Sequence, residues 1–378
     1  MAAFSSPPPT TQEEEESPPP PSPPPLDLPT YQDILHASRT LDSIAHRTPL
    51  QTSRLLNDEL GVSVVFKCEN LQRMGAFKFR GAFNAVSHYL NKDNYNGDDN
   101  NNNHTNKQRL AGILTYSSGN HAQAIALACS TAPPLPSTII MPRDAPPAKI
   151  AATQSYGGTI IYYDRYTEQR DEVAKKVMGE LPEGTVFIPP YDHRYVIAGQ
   201  GTVGLEIVQD LPTAKMNNTN NTNNTLDYLF VCVGGGGLIA GISLALHTLS
   251  PHTKIIGVEP HAGNDAQQSL AAGKIIHIAT PRTIADGAQT QHLGQLTFEL
   301  MKRYVTKIIT VSDEELVEEM KFFGTTMKMI VEPTGCLGLA GLRRMVESGE
   351  VAKGSCCGVV ISGGNVDLGR YCELISGR

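Results

Sequence analysis

The chain has 378 residues and a net charge of −7, with acidic and basic residues interleaved through its body. It is long enough for two lobes with a sizeable core, and it lacks the clustered basic face that nucleic-acid binding needs. Seven scattered cysteines form no C-x-x-C pair, so neither a zinc site nor a disulfide framework is indicated; without a secretory signal the sequence points to a reducing, cytoplasmic compartment.

In chain order, residues 1–28 are Pro- and Ser-rich and carry a run of glutamates from Glu13 to Glu16. This stretch has no apolar run and is too acidic for a transit peptide, so it reads as a disordered tail. Apolar runs predict strands over 63–68, 112–116, 137–141, 159–163, 185–188, 228–233, 254–258, 307–311 and 358–361. Helices are predicted between most of them, over 122–129, 148–156, 168–178, 203–211, 238–249 and 314–322. Two Asn-rich inserts, 91–106 and 217–224, fall between elements, where surface loops tolerate extra length. Residues 228–249 carry no Asp, Glu, Lys or Arg, but their central glycines and β-rich start argue for strand, loop and helix, not a membrane span.

Strands alternating with helices predict a parallel α/β sheet, which binds ligands at the carboxyl ends of its strands. The turns 117–121, 234–237 and 362–365 each follow a predicted strand and are expected to converge on one cleft. Gly234 to Gly237, between a strand and a helix, would present backbone N–H groups at the positive end of a helix dipole, a phosphate site. A plain turn is the alternative, and the residues alone leave both open. The spacing is neither a P-loop nor a dinucleotide fingerprint. Lys78 lies between Phe77 and Phe79, where desolvation would lower its pKa. A lysine used together with a bound phosphate suggests pyridoxal phosphate (PLP), held as a Schiff base. Taken alone, Lys78 reads as a lysine snorkelling from a helix start.

Segments 66–72, 78–85, 117–123, 198–202, 234–237, 283–287, 331–334 and 362–367 together resemble the fold type II PLP enzymes, in the branch of serine racemases and serine/threonine dehydratases. The resemblance runs from about residue 31 to 368. It implies two lobes, each with a mainly parallel sheet flanked by helices: a large PLP-binding domain from 29–111 and 193–378, and a small domain from 112–192. It implies that Lys78 carries the cofactor, that Gly234, Gly235, Gly236 and Gly237 cradle its phosphate, that Asn120 meets the ring 3-oxygen and that Ser362 faces the ring nitrogen. Ser117, Asn120 and His121 would meet the substrate carboxylate, as would Arg170, which otherwise reads as a solvated helix charge.

Lys78 would remove the α-proton. Ser118 would deliver a proton to the opposite face, as racemisation requires; dehydratases specialised for threonine carry alanine there, and a helix cap is the other reading of this serine. Ala122, at a position where dehydratases often have alanine, points the other way. The expected activity is therefore serine racemisation together with elimination of serine to pyruvate and ammonia; the alternative is a threonine/serine ammonia-lyase with little racemisation. An aspartate racemase is disfavoured by Tyr116, where that relative has a third serine. Glu259, Asp265 and the Gly263 carbonyl match the family's Mg²⁺ or Ca²⁺ ligands, although by themselves the two acids read as solvated carboxylates after a strand. ATP activation is left open: Gln123 and Lys328 fit and Arg73 is a cationic replacement, whereas Met74 and Tyr191 depart from the pattern. A homodimer acting on a small amino acid is the family expectation.

Overall fold

The computed structural model describes residues 26–95, 109–131, 134–213 and 225–377. The expected tail and both Asn-rich inserts lie wholly or mostly outside these residues. The first segment holds helix α1 (Tyr31–Leu41), strand β1 (Leu50–Gln51), α2 (Arg54–Leu60), β2 (Ser63–Cys68) and α3 (Lys78–Tyr95). Then come β3 (Gly112–Tyr116), α4 (Asn120–Thr131), β4 (Ser137–Pro142), α5 (Pro147–Ser155), β5 (Thr159–Tyr163), α6 (Arg170–Glu180), β6 (Thr185–Phe187) and α7 (Arg194–Asp210). The last segment holds β7 (Tyr228–Cys232), α8 (Gly237–Leu249), β8 (Lys254–Pro260), α9 (Asp265–Ala272), α10 (Gln295–Tyr304) and β9 (Lys307–Val311). It ends with α11 (Asp313–Phe322), α12 (Pro333–Glu347), β10 (Cys356–Ile361) and α13 (Leu368–Ser376).

The strands form two sheets. One has the order β1-β2-β10-β7-β8-β9 and is parallel except for β1, an antiparallel edge pair. The other, β5-β4-β3-β6, is all parallel. Strands β2, β4 and β10 are buried along their whole length, because helices cover both faces, and this is why their sequences are apolar without alternation. The main core lies around the larger sheet; two smaller clusters lie around the four-stranded one.

Local chemistry starts the helices. Thr30 and Asp33 close a capping box on α1, and Ser312 and Glu315 do the same for α11. The helix expected over 203–211 begins instead at Arg194. Gly199 and Gly201 look like helix breakers in sequence, but they are contact points. A Cβ on Gly199 would lie 2.6 Å from the Arg80 carbonyl oxygen, and one on Gly201 2.9 Å from that of Gly241 on α8. Close packing outweighs the modest helix penalty of glycine. Among the described residues no helix is long and apolar enough to cross a membrane.

Candidate active site

The carboxyl ends of β3, β7 and β10 and the N-termini of α4 and α8 surround a cavity of about 570 Å³. Its wall contains Lys78, Ser117, Ser118, Asn120, His121, Arg170, Gly234, Gly235, Gly236, Gly237 and Ser362, every cofactor and substrate candidate read from the sequence. Glu259, Gly263 and Asp265 are not in that wall, nor are Gln123, Arg73 and Lys328.

Lys78 is the first residue of α3, and its Nζ donates to the Pro190 carbonyl at 2.8 Å. Burial pushes its pKa down to about 8. Between β7 and α8, Gly236 has φ +87°, in the left-handed region open to glycine. Helix α8 has no side-chain cap, so its first-turn amides are free to meet an anion from the cavity. A Cβ on Gly235 would lie 2.2 Å from the Tyr191 ring, so this glycine is also demanded by an aromatic neighbour. A desolvated lysine beside a side-chain-free cradle of helix amides fits a phosphate-bearing aldehyde such as PLP.

Ser362, at the end of β10, is buried, close to Cys232 at the end of β7. Asn120 is held on both sides: its Nδ2 donates to Glu332 Oε1 at 2.6 Å and its Oδ1 accepts from Asn365 at 3.0 Å. Ser117 closes its own turn by accepting from the Gly119 amide at 3.1 Å. Among the described hydrogen bonds none runs from a helix amide to the Ser118 hydroxyl, so the cap reading of Ser118 has no support. His121 is fully buried, and burial together with the Lys78 charge pushes it down to about 3, which keeps it neutral. The Arg170 guanidinium stacks 3.9 Å from the Tyr116 ring centroid, and its Nε is buried without a hydrogen-bond partner.

Sequence reasoning missed a buried ionic cluster in the same wall. Lys149 Nζ lies 2.5 Å from Asp286 Oδ2 and 3.4 Å from Glu332 Oε2. Burial alone would lower the Lys149 pKa, but the two carboxylates outweigh it and hold the ammonium charged. Asp286 and Glu332 lie in matched segments, yet only the fold brings them to Lys149, which lies in no motif.

At the end of β8, Glu259 accepts from the amides of Ala266 and Gln267 at 3.0 and 2.9 Å and so caps α9. Burial, with Asp265 nearby, pushes it well above the usual carboxylate range. Asp265 is fully buried with neither carboxylate oxygen hydrogen-bonded, and burial raises it to about 7. An orphaned carboxylate beside a second one fits a hard cation that would also draw on carbonyl oxygens and water. Among the described residues no group of three or more His, Cys, Asp or Glu side chains is placed to hold a metal.

A family model described as pyridoxal-phosphate dependent enzyme matches residues 41–363. The chain is 50% identical over 351 residues to a serine racemase of Schizosaccharomyces pombe, covering 93% of this chain and 98% of that protein. It is 49% identical over 351 residues to an L-threo-3-hydroxyaspartate ammonia-lyase of Saccharomyces cerevisiae, again covering 93% and 98%. The solved structure of maize serine racemase aligns with a TM-score of 0.79 at 35% identity, over 93% of this chain and 98% of that one. The chain therefore belongs to the fold type II pyridoxal-phosphate-dependent enzymes, in the family of serine racemases and amino-acid ammonia-lyases.

Proposed function

We propose that this enzyme interconverts L- and D-serine and also eliminates serine to pyruvate and ammonia. The observation that carries the reading is a pair of proton-handling groups in one cavity wall: Lys78, pushed down to about 8, and Ser118, whose hydroxyl no helix amide occupies. PLP, when bound, supplies an electron sink for the α-carbon. Lys78 then takes the α-proton, and Ser118 exchanges a proton on the opposite face. The amides of Gly234 to Gly237 hold the phosphate, Ser362 faces the ring nitrogen, and Asn120 orients the ring. Ser117, Asn120, His121 and Arg170 receive the substrate carboxylate. A Mg²⁺ or Ca²⁺ ion at Glu259, Asp265 and the Gly263 carbonyl braces the loop before α9 and takes no part in chemistry. The proposal extends to a small domain over 112–192 and to a homodimer.

The test is to supply PLP, Mg²⁺ and L-serine and to follow D-serine by chiral chromatography alongside pyruvate. Ser118→Ala is expected to reduce D-serine formation by about 100-fold or more, the scale of a lost acid–base group, while pyruvate formation survives. Equal loss of both would make Ser118 a shaping residue only. Pyruvate alone from the wild type would favour the ammonia-lyase.

A second reading is favoured by Arg170. Its Nε, buried in the cavity wall without a hydrogen bond and only 4.0 Å from the Asp171 carboxylate, suits a second carboxylate, as on L-threo-3-hydroxyaspartate, the substrate in the name of the yeast relative. If so, Arg170→Ala lowers kcat/KM for that substrate by about 100-fold, equivalent to about 2.7 kcal/mol, and that for serine much less. Equal losses would remove this reading.

A further inference from the structure

Three consecutive residues on the segment that returns from β6 to α7 touch three different parts of the site. The Pro190 carbonyl accepts from Lys78 Nζ at 2.8 Å. The Tyr191 ring fills the space beside Gly235, and its Cβ lies 3.1 Å from where a Cβ of Gly237 would stand. The Asp192 carboxylate caps α10 from outside that helix: Oδ2 accepts from the Gln295 amide at 2.9 Å, and Oδ1 from those of Leu296 and Thr297 at 2.9 and 3.2 Å.

Helix α10 needs this outside cap because its own N-cap position is Gly294, which has no side chain to offer. A Cβ there would lie 2.1 Å from the Asp192 Cγ, so the glycine makes room for the visiting carboxylate. A negative charge at a helix N-terminus is also favoured by the helix dipole. The capped turn carries Thr297, which is fully buried and whose hydroxyl donates to the Gly235 carbonyl at 2.9 Å. An unbroken series of contacts thus runs from Asp192 through α10 and Thr297 to the backbone of the glycine loop.

We infer that Asp192 is a positioning residue: by capping α10 it fixes the Thr297 hydroxyl on the Gly235 carbonyl and so holds the loop in the shape that receives the cofactor phosphate. Its neighbours Tyr191 and Pro190 register the same loop against Lys78. The inference rests on the reading of Gly234 to Gly237 as the phosphate cradle. It makes Asp192 a determinant of PLP affinity without contact to PLP.

The test measures the PLP dissociation constant of full-length wild type, Asp192→Ala, Asp192→Asn, Thr297→Val and the Asp192→Ala/Thr297→Val double variant. PLP-free protein is titrated and read by the visible absorbance of the bound cofactor, with the thermal midpoint of each PLP-free protein recorded in parallel. Asp192→Ala is expected to weaken PLP binding about 10-fold or more. Asp192→Asn, which keeps the shape and one acceptor, falls between; it carries the test if the alanine variant fails to fold. The double variant is expected to be no worse than the weaker single, because both changes break one series of contacts. A lowered midpoint with unchanged PLP affinity would reduce Asp192 to a helix cap and overturn the inference, as would losses that simply add. Wild type that takes up no PLP would sink the functional reading, and this inference with it.

Discussion

Gly235 has two neighbours that decide what it must be. Its carbonyl is held by Thr297, and its α-carbon faces the Tyr191 ring so closely that a methyl group would lie 2.2 Å from the ring. Gly235→Ala must therefore push Tyr191 aside, at a cost of about 1–3 kcal/mol for overpacking a close contact. We expect Gly235→Ala to lower the thermal midpoint and weaken PLP uptake, and Gly235→Ala/Tyr191→Ala to recover part of the loss. A double variant no better than the single would mean that the loop itself cannot take a side chain. The glycine run was legible in the sequence because a strand, four glycines and a helix form a recognisable order. Tyr191 was not legible as its partner: the contact joins residues far apart in the chain, and an aromatic residue after two prolines carries no signal of its own. Ser118 shows the reverse. Its residue type alone suggested a cap, but in the turn the Gly119 amide is bonded to Ser117, and among the described hydrogen bonds none ties a helix amide to Ser118.

At the scale of elements, α11 and α12 share a buried ion pair that makes their packing sensitive to pH. Glu319 on α11 is 2% exposed, its Oε1 meets Arg343 Nε of α12 at 2.7 Å, and its Oε2 is buried without a hydrogen bond. Burial pushes its pKa up to about 7, although Arg343 pulls the other way. The native state then binds a proton that the unfolded state has lost between about pH 4.5 and 7, so this group's contribution to stability declines as pH rises through that window and is level above it. Glu319→Gln removes the titration and leaves Arg343 paired with Glu59. We expect the variant to gain on wild type by at most about 3 kcal/mol between pH 5 and pH 8 in urea unfolding. A constant difference across that range would mean that Arg343 keeps Glu319 ionised throughout. Elements were legible where one rule dominates: continuous apolar runs marked the buried strands β2 and β4 to within one residue and β10 to within two. The start of α7 was not, because its glycines serve helix contacts that exist only after folding.

For the whole molecule, the position of the cleft follows from topology, since parallel strands of both sheets end there. What spans the cleft was not legible, because its parts lie far apart in sequence: Lys149 is 137 residues from Asp286 and 183 from Glu332. Lys149 stands on α5, beside the four-stranded sheet, whereas Glu332 precedes α12 against the six-stranded one. Asn120 adds a second link to the same carboxylate from the start of α4. Removing the ammonium would leave Glu332 and Asp286 facing each other in a buried wall, which costs more than the pair contributes when intact. We expect Lys149→Met to destabilise the protein by about 3 kcal/mol in urea unfolding, the lower end for an uncompensated buried charge because Asp286 keeps some solvent contact. Adding Glu332→Gln to that variant should restore part of the loss, since the amide can still pair with Asn120. Loss of the unfolding midpoint in Lys149→Met without recovery in the double variant would mean that Asp286, not Glu332, is the carboxylate that Lys149 neutralises. Recovery would identify the Lys149–Glu332 contact, beside the Asn120 link, as a tie between the two sheets across the site.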